Sequence, residues 1–414
     1  MIQNEKEFTI MHPIKKLGCR AFQLAFRAAL PILPYRQPKE LTSLQIIFVV
    51  LLEEKIVTVL LIADGGVRDL GLTAPLEQAL KSAGISCAVY EQRTPNPTID
   101  NVEEALRIYL DLGAKAVVAV GGGSAIDCAK VVCARVARPD KSVQKMRGLL
   151  RVLRRTPLLI AAPTTAGTGS ETTLAAVITD SKTHHKYPIN DFALIPDYAV
   201  LDARLTLGLP PHLTATTGMD ALTHAVEAYI GRSTNAYTRA MAEEAVMLIA
   251  QNLVTAYDDG QNFEARQNML RASYCAGAAF TRSYVGYVHG VAHSLGGQYG
   301  IAHGLANAVI LPHFLRAYGS SCTRKLAALS RCAGISMPDD DDQTASCAFI
   351  SWIDGLNRYF GLPEGFHEIR IGDIPTMAAH AASESNPLYP VPKLMDCREL
   401  EAMYELLLPK EEHP

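Results

Sequence analysis

Apolar and polar positions alternate in two different ways along this chain. Up to about residue 204, short β-branched apolar runs are separated by stretches with helical spacing. Residues 56–62 (IVTVLLI), 86–90, 116–120 (AVVAV) and 158–161 predict buried strands. Residues 73–83 and 99–112 predict amphipathic helices, closed by Gly84 and Gly113. Continuous apolar strands alternating with helices predict a parallel sheet covered on both faces. Residues 46–52 (IIFVVLL) carry a conflict. Their propensity favours a strand, whereas the alternation places a helix before the strand at 56–62. Beyond Leu209-Pro210-Pro211 the periodicity is helical, over 213–230, 236–257, 263–280 and 325–333, and strand signals nearly vanish. The fold class expected is therefore an α/β N-terminal domain with a parallel sheet, followed by an all-α C-terminal domain.

Composition narrows the class. The chain has 414 residues, enough for two domains. Its net charge of −3 gives no overall bias toward nucleic acid. Nine cysteines, an odd number without a CxxC pair, fit reduced thiols in a cytoplasmic protein better than a disulfide framework. Glu53, Glu54 and Lys55 split the apolar run at 46–62 into pieces too short to span a bilayer, so no membrane span is expected. The basic and apolar stretch from Lys15 to Pro34 could pass for a poor signal peptide or an interfacial helix. Arg20 and Arg27 interrupt it and no A-x-A site follows, so it is expected to dock on the protein itself. The acidic run Asp339–Asp342 reads as a solvated loop leading into a helix.

Four motifs carry chemistry. In VAVGGGSAIDCAK (118–130) an apolar strand runs into Gly121, Gly122 and Gly123, then Ser124 and a helix bearing Asp127. Glycine lets backbone amides approach a phosphate, and a helix N-terminus adds partial positive charge. PTTAGTGSETT (163–173) supplies hydroxyls and free amides after another strand. Two such loops at the carboxyl ends of parallel strands lie where open α/β sheets bind ligands. In GMDALTHAVEAY (218–229), Asp220 and His224 are i and i+4 on one helical face. GYVHGVAHSLGGQYGIAHG (286–304) adds His289, His293 and His303. A carboxylate with imidazoles suits a divalent first-row metal. Asp64, just past the strand at 56–62 and before Gly65-Gly66, is placed to accept hydrogen bonds from adenosine ribose hydroxyls and to repel a 2′-phosphate.

Together these motifs, their order and the tail NPLYPVP (386–392) resemble the iron-dependent (group III) alcohol dehydrogenase family over about residues 56–410. The resemblance implies a dehydroquinate-synthase-like architecture: an N-terminal extension at 1–40, a dinucleotide-binding α/β domain at 41–204 and an all-helical metal-binding domain at 205–414. It implies Asp220, His224, His289 and His303 as metal ligands, with His293 beside the metal without binding it; one helical turn from His289, His293 is expected to relay the proton or orient substrate. It implies Gly121, Gly122, Gly123, Ser124 and Asp127 at the pyrophosphate, Thr164, Thr165 and Thr168 along phosphate and nicotinamide, and more loosely Asn96 and Lys186. The cofactors implied are NAD, preferred over NADP through Asp64, and Fe2+, with Zn2+ able to use the same ligands.

The expected reaction is reversible hydride transfer between an alcohol carbon and nicotinamide C4, interconverting an alcohol and its aldehyde, in a cytoplasmic homodimer. A hydroxyacid–oxoacid transhydrogenase and a lyase of the dehydroquinate-synthase-like class are alternatives within the same architecture, and a non-enzymatic scaffold is a more distant one. The chain departs from the family pattern in lacking a glycine-rich stretch around 43–46 and in the basic segment 141–155.

Overall fold

The computed structural model describes residues 11, 13–94, 96–182 and 186–409; the first ten residues of the N-terminal extension lie outside them. Strands β1 (Lys39–Leu41), β2 (Thr58–Asp64), β3 (Ser86–Gln92), β4 (Ala116–Gly121), β6 (Leu158–Pro163) and β9 (Tyr198–Val200) form one six-stranded sheet. Their order is β1-β9-β6-β4-β2-β3 and every pairing is parallel. A smaller sheet joins β5 (Gly148–Leu149), β8 (Lys186–Asn190) and β7 (Ala175–Thr179), with β7 and β8 antiparallel.

Side-chain alternation explains why the central strands read as unbroken apolar runs. Leu60, Ile62, Val117, Ala119, Leu159 and Ala161 face one core, together with Val102 and Ala105 of α5 (Ile99–Leu112) and Ala129 and Val132 of α6 (Gly123–Ala137). Val59, Leu61, Val118, Val120, Ile160 and Ala162 face another, with Ile47 and Leu51 of α2 (Ile47–Glu53) and Leu76 and Leu80 of α4 (Ala74–Ser82). Both faces are thus dry, as a parallel sheet requires. Residues 46–52 are mainly helical: burial of Ile47, Val50 and Leu51 at helical spacing outweighs their strand propensity. α5 matches its expected bounds. Thr98 and Asn101 form a reciprocal capping box, and Gly113 closes the helix at φ 65°. A one-turn helix α3 (Gly65–Asp69) follows β2 directly.

No strand follows Val200 among the described residues. The remainder is α7 (Pro211–Ile230), α8 (Ala236–Asp258), α9 (Phe263–Ser283), α10 (Tyr287–Tyr299), α11 (His303–Tyr318), α12 (Thr323–Cys332), α13 (Asp342–Tyr359), α14 (Ile374–Ser385) and α15 (Cys397–Glu405). The acidic run ends in a helix cap, as Asp341 accepts from the Thr344 amide at the start of α13. Before the sheet, α1 (Pro13–Ala29) covers the basic apolar stretch.

By contact density the chain forms two compact units. One comprises residues 34–225 and 240–282 and holds both sheets; the other comprises residues up to 33, 226–239 and from 283 on. No helix is long and apolar enough to cross a membrane among the described residues.

Candidate active site

Within the first unit, the register brings the motif loops together. Ala63 of β2 pairs with Val120 of β4, and Gly121 pairs with Pro163 of β6. Asp64, the three glycines and the threonine loop therefore emerge side by side at the carboxyl ends of neighbouring strands. A cleft of about 380 Å³ lies there, lined by Asp64, Gly65, Gln92, Arg93, Gly122, Gly123, Ser124 and Thr165 among others. The Gly122 amide donates to Asp64 Oδ2 at 2.6 Å. Gly121 is required by this close approach, because a Cβ there would collide with the Asp64 carboxylate and lie 2.7 Å from Ala125 Cβ. Burial pushes the Asp64 carboxyl up to about 6, against the opposing pull of the Gly122 hydrogen bond. The N-terminus of the fifteen-residue helix α6 opens at Gly123 into this cleft, which fits the diphosphate of a dinucleotide.

Other residues expected at the cofactor take structural partners. The Thr164 amide donates to the Gly121 carbonyl at 3.0 Å, tying the two loops. Thr168 Oγ1 accepts from the Ser170 amide. Lys186 Nζ donates to Asn96 Oδ1 at 2.8 Å, so this pair meets on the surface. Asp127 points into the protein: Oδ1 accepts from Ser170 Oγ at 2.7 Å and Oδ2 from the Val177 amide at 2.9 Å.

Lys130, which carried no role in the sequence reading beyond its motif, is completely buried. Its Nζ lies within 3.0 Å of Ser170 Oγ, Thr173 Oγ1, Thr173 O and Ala175 O. Burial lowers its ammonium to about 8. Asp127 and Lys130 together fasten the threonine loop to α6. Gly169 fastens the same loop to α9: it sits at φ +58°, and a Cβ there would lie 2.7 Å from Gly277 Cα.

Asp220 and His224 project from the same face of α7, and the His224 ring stacks on Phe280 at 4.2 Å. In the second unit, buried His289 places Nδ1 2.6 Å from Glu227 Oε2. Glu227 also accepts from the Gly286 and Val288 amides, at 2.7 and 3.0 Å. A carboxylate on Nδ1 directs Nε2 outward as the ligating atom. The Asn307 amide lies 3.3 Å from His289 Nε2 and 3.1 Å from His303 Nε2, so both nitrogens face the same point. Asp220 and His224 in the first unit, and His289 and His303 in the second, each offer one ligand atom. One oxygen and three nitrogens match the donor chemistry of a divalent first-row metal.

His293 is one turn from His289. Its Nδ1 lies 2.6 Å from Glu384 Oε1, and Glu384 also accepts from Tyr389 OH at 2.7 Å. Glu227 and Glu384 were missed in the sequence. Glu227 had a signal, since Asp220, His224 and Glu227 fall at i, i+4 and i+7 of one helix; Glu384 had none.

A parallel sheet with a glycine-rich strand-to-helix turn, and carboxylate and histidine donors on α7, α10 and α11, are the features of a metal-dependent dehydrogenase. The comparisons place it further. A family profile described as iron-containing alcohol dehydrogenase matches residues 48–203, and its C-terminal counterpart matches residues 214–408. The chain is 36% identical over 331 residues to alcohol dehydrogenase 4 of Saccharomyces cerevisiae, covering 79% of this chain and 85% of the yeast protein. It is 37% identical to 1,3-propanediol dehydrogenase of Klebsiella pneumoniae, with the same coverage. The crystal structure of a 1,3-propanediol oxidoreductase superposes with a TM-score of 0.86 at 33% identity, over 90% of this chain and 99% of that one. Sulfoacetaldehyde reductase of Bifidobacterium kashiwanohense, solved with NAD+, superposes at 0.80 and 27% identity, over 91% and 99%. The chain belongs to the iron-containing alcohol dehydrogenase family, with its dehydroquinate-synthase-like fold. It is a metal-dependent, NAD-linked alcohol dehydrogenase.

Proposed function

We propose that Asp220, His224, His289 and His303 hold one Fe2+ ion and that the cleft at the ends of β2, β4 and β6 holds NAD(H) for the interconversion of a small alcohol and its aldehyde. The observation that carries this reading is the pair His289 and His303, whose Nε2 atoms both face the Asn307 side-chain amide while Glu227 fixes the orientation of His289; Asp220 and His224, on one face of α7, supply the other two donors. When bound, the ion supplies Lewis acidity toward the substrate oxygen and the nicotinamide supplies the hydride acceptor. The protein's own residues do the rest. The amides at the start of α6 bind the diphosphate, Asp64 accepts from the ribose hydroxyls, and His293, steadied by Glu384, takes the alcohol proton. Zn2+ suits the same donors, so metal identity is checked by activity after reconstitution with each ion. The test of the whole reading is an NADH absorbance assay at 340 nm with an aldehyde panel on iron-loaded protein. Turnover that needs the metal supports it, and metal-independent turnover overturns it.

The same reading includes a domain boundary near residue 204, supported by family profiles that meet between residues 203 and 214. It includes a cytoplasmic location, supported by nine cysteines none of which forms a disulfide. It includes a homodimer, the commonest closed assembly, to be checked by analytical ultracentrifugation.

A further inference from the structure

Helix α1 is amphipathic in the opposite sense to a helix that packs on a core. Its inward side carries buried Cys19 and Gln23, with buried Leu30 just past its end and Phe26 edge-on to Tyr284 at 5.0 Å, and polar contacts add to these. Arg20 donates to the carbonyls of Val391 and Pro392 at 2.8 and 2.9 Å, and Gln23 Nε2 to the Tyr389 carbonyl at 2.8 Å. Its outward side is apolar. Leu17 and Leu24 are 71% and 67% exposed, and Ile32, just past the helix, is 84% exposed. Ile14, Gly18, Ala21, Phe22, Ala25 and Ala28 are exposed on the same side.

Charge identifies what this face suits. At about 100° per residue, the exposed apolar positions span an arc of roughly 160°. Exposed Lys15 borders one edge of this arc and exposed Arg27 the other, while Arg20 is engaged by the Val391 and Pro392 carbonyls. No acidic residue occurs between Glu7 and Glu40, although the whole chain has a net charge of −3. A broad apolar arc flanked by cations is the pattern of a helix lying in the boundary between anionic headgroups and acyl chains. Pairing with a second copy of α1 would set two all-cationic helices against each other, which like-charge repulsion opposes. At 17 residues with four cations the helix does not span a bilayer, consistent with a surface role.

We propose that the outward face of α1 docks the enzyme on an anionic lipid surface. The bonds from Arg20 and Gln23 hold the helix against the Pro387–Pro392 segment with that face outward, so the protein attaches without refolding.

Vesicle flotation of the full-length, metal-loaded enzyme tests this. With vesicles of equal parts phosphatidylcholine and phosphatidylglycerol, the protein should float, at least about tenfold more than with phosphatidylcholine alone. Raising the salt concentration should release it. The double variant Leu17→Glu/Leu24→Glu changes only exposed positions. It should lose flotation while keeping its melting temperature and its turnover of a soluble alcohol. Absence of flotation with the mixed vesicles, or unchanged flotation of the double variant, overturns the proposal. A wild-type protein that does not float, and whose oligomer falls apart in the double variant, assigns the face to a second copy instead.

Discussion

Glu227 Oε2 lies 2.6 Å from His289 Nδ1, with both side chains buried. Burial raises the Glu227 carboxyl to about 7, while the Gly286 and Val288 amides pull the other way. The carboxylate sets which imidazole nitrogen is left to ligate. Glu227→Gln keeps the shape and removes the charge. Iron affinity should fall about 10- to 100-fold, read by chelator competition. Unchanged affinity would show that the contact only packs the helix.

Removal of a ligand should have a larger effect than removal of its support. His224→Ala and His303→Ala should each lose bound metal and activity together, measured by elemental analysis beside the absorbance assay. Full metal occupancy in either variant would strike that residue from the ligand set.

His293 is held through Nδ1 by Glu384, which also accepts from Tyr389. His293→Ala should retain its iron and lose about 100-fold in turnover, with an altered pH profile. Loss of iron instead would make His293 a ligand.

Asp64 should set the preference for NAD(H) over NADP(H). Asp64→Gly should narrow that preference chiefly by improving the efficiency with NADPH, about tenfold. In the unmodified protein the carboxyl is raised to about 6. It is ionised above that value and repels a 2′-phosphate, and it becomes neutral as pH falls through it. The NADH-to-NADPH efficiency ratio should therefore shrink between pH 8 and pH 5. A flat ratio would remove Asp64 from the cofactor site.

Lys130 should matter to the loop and not to the chemistry. Lys130→Met leaves Ser170, Thr173 and Ala175 without their buried donor, a loss of about 1–3 kcal/mol for each acceptor left unsatisfied. The melting temperature should fall and the KM for NAD should rise more than kcat changes. An unaltered KM would separate the loop's anchoring from cofactor binding.

The sequence by itself determined the parallel sheet, because strands buried on both faces must be apolar at every position, as β4 is from Ala116 to Gly121. It also determined that Asp220 and His224 share a face, since helical periodicity is local. Tertiary structure decided what depends on distant neighbours. Residues 47–53 became a helix because Ile47 and Leu51 had α4 and the sheet to pack on. Asp127, legible as a phosphate residue, turned inward because Ser170 and Val177 needed an acceptor there. Glu384 found His293 across 91 residues of chain. The amphipathicity of α1 announced two faces without saying which points in. The carbonyls of Tyr389, Val391 and Pro392 decided it by taking Arg20 and Gln23 as donors, leaving the leucines outside.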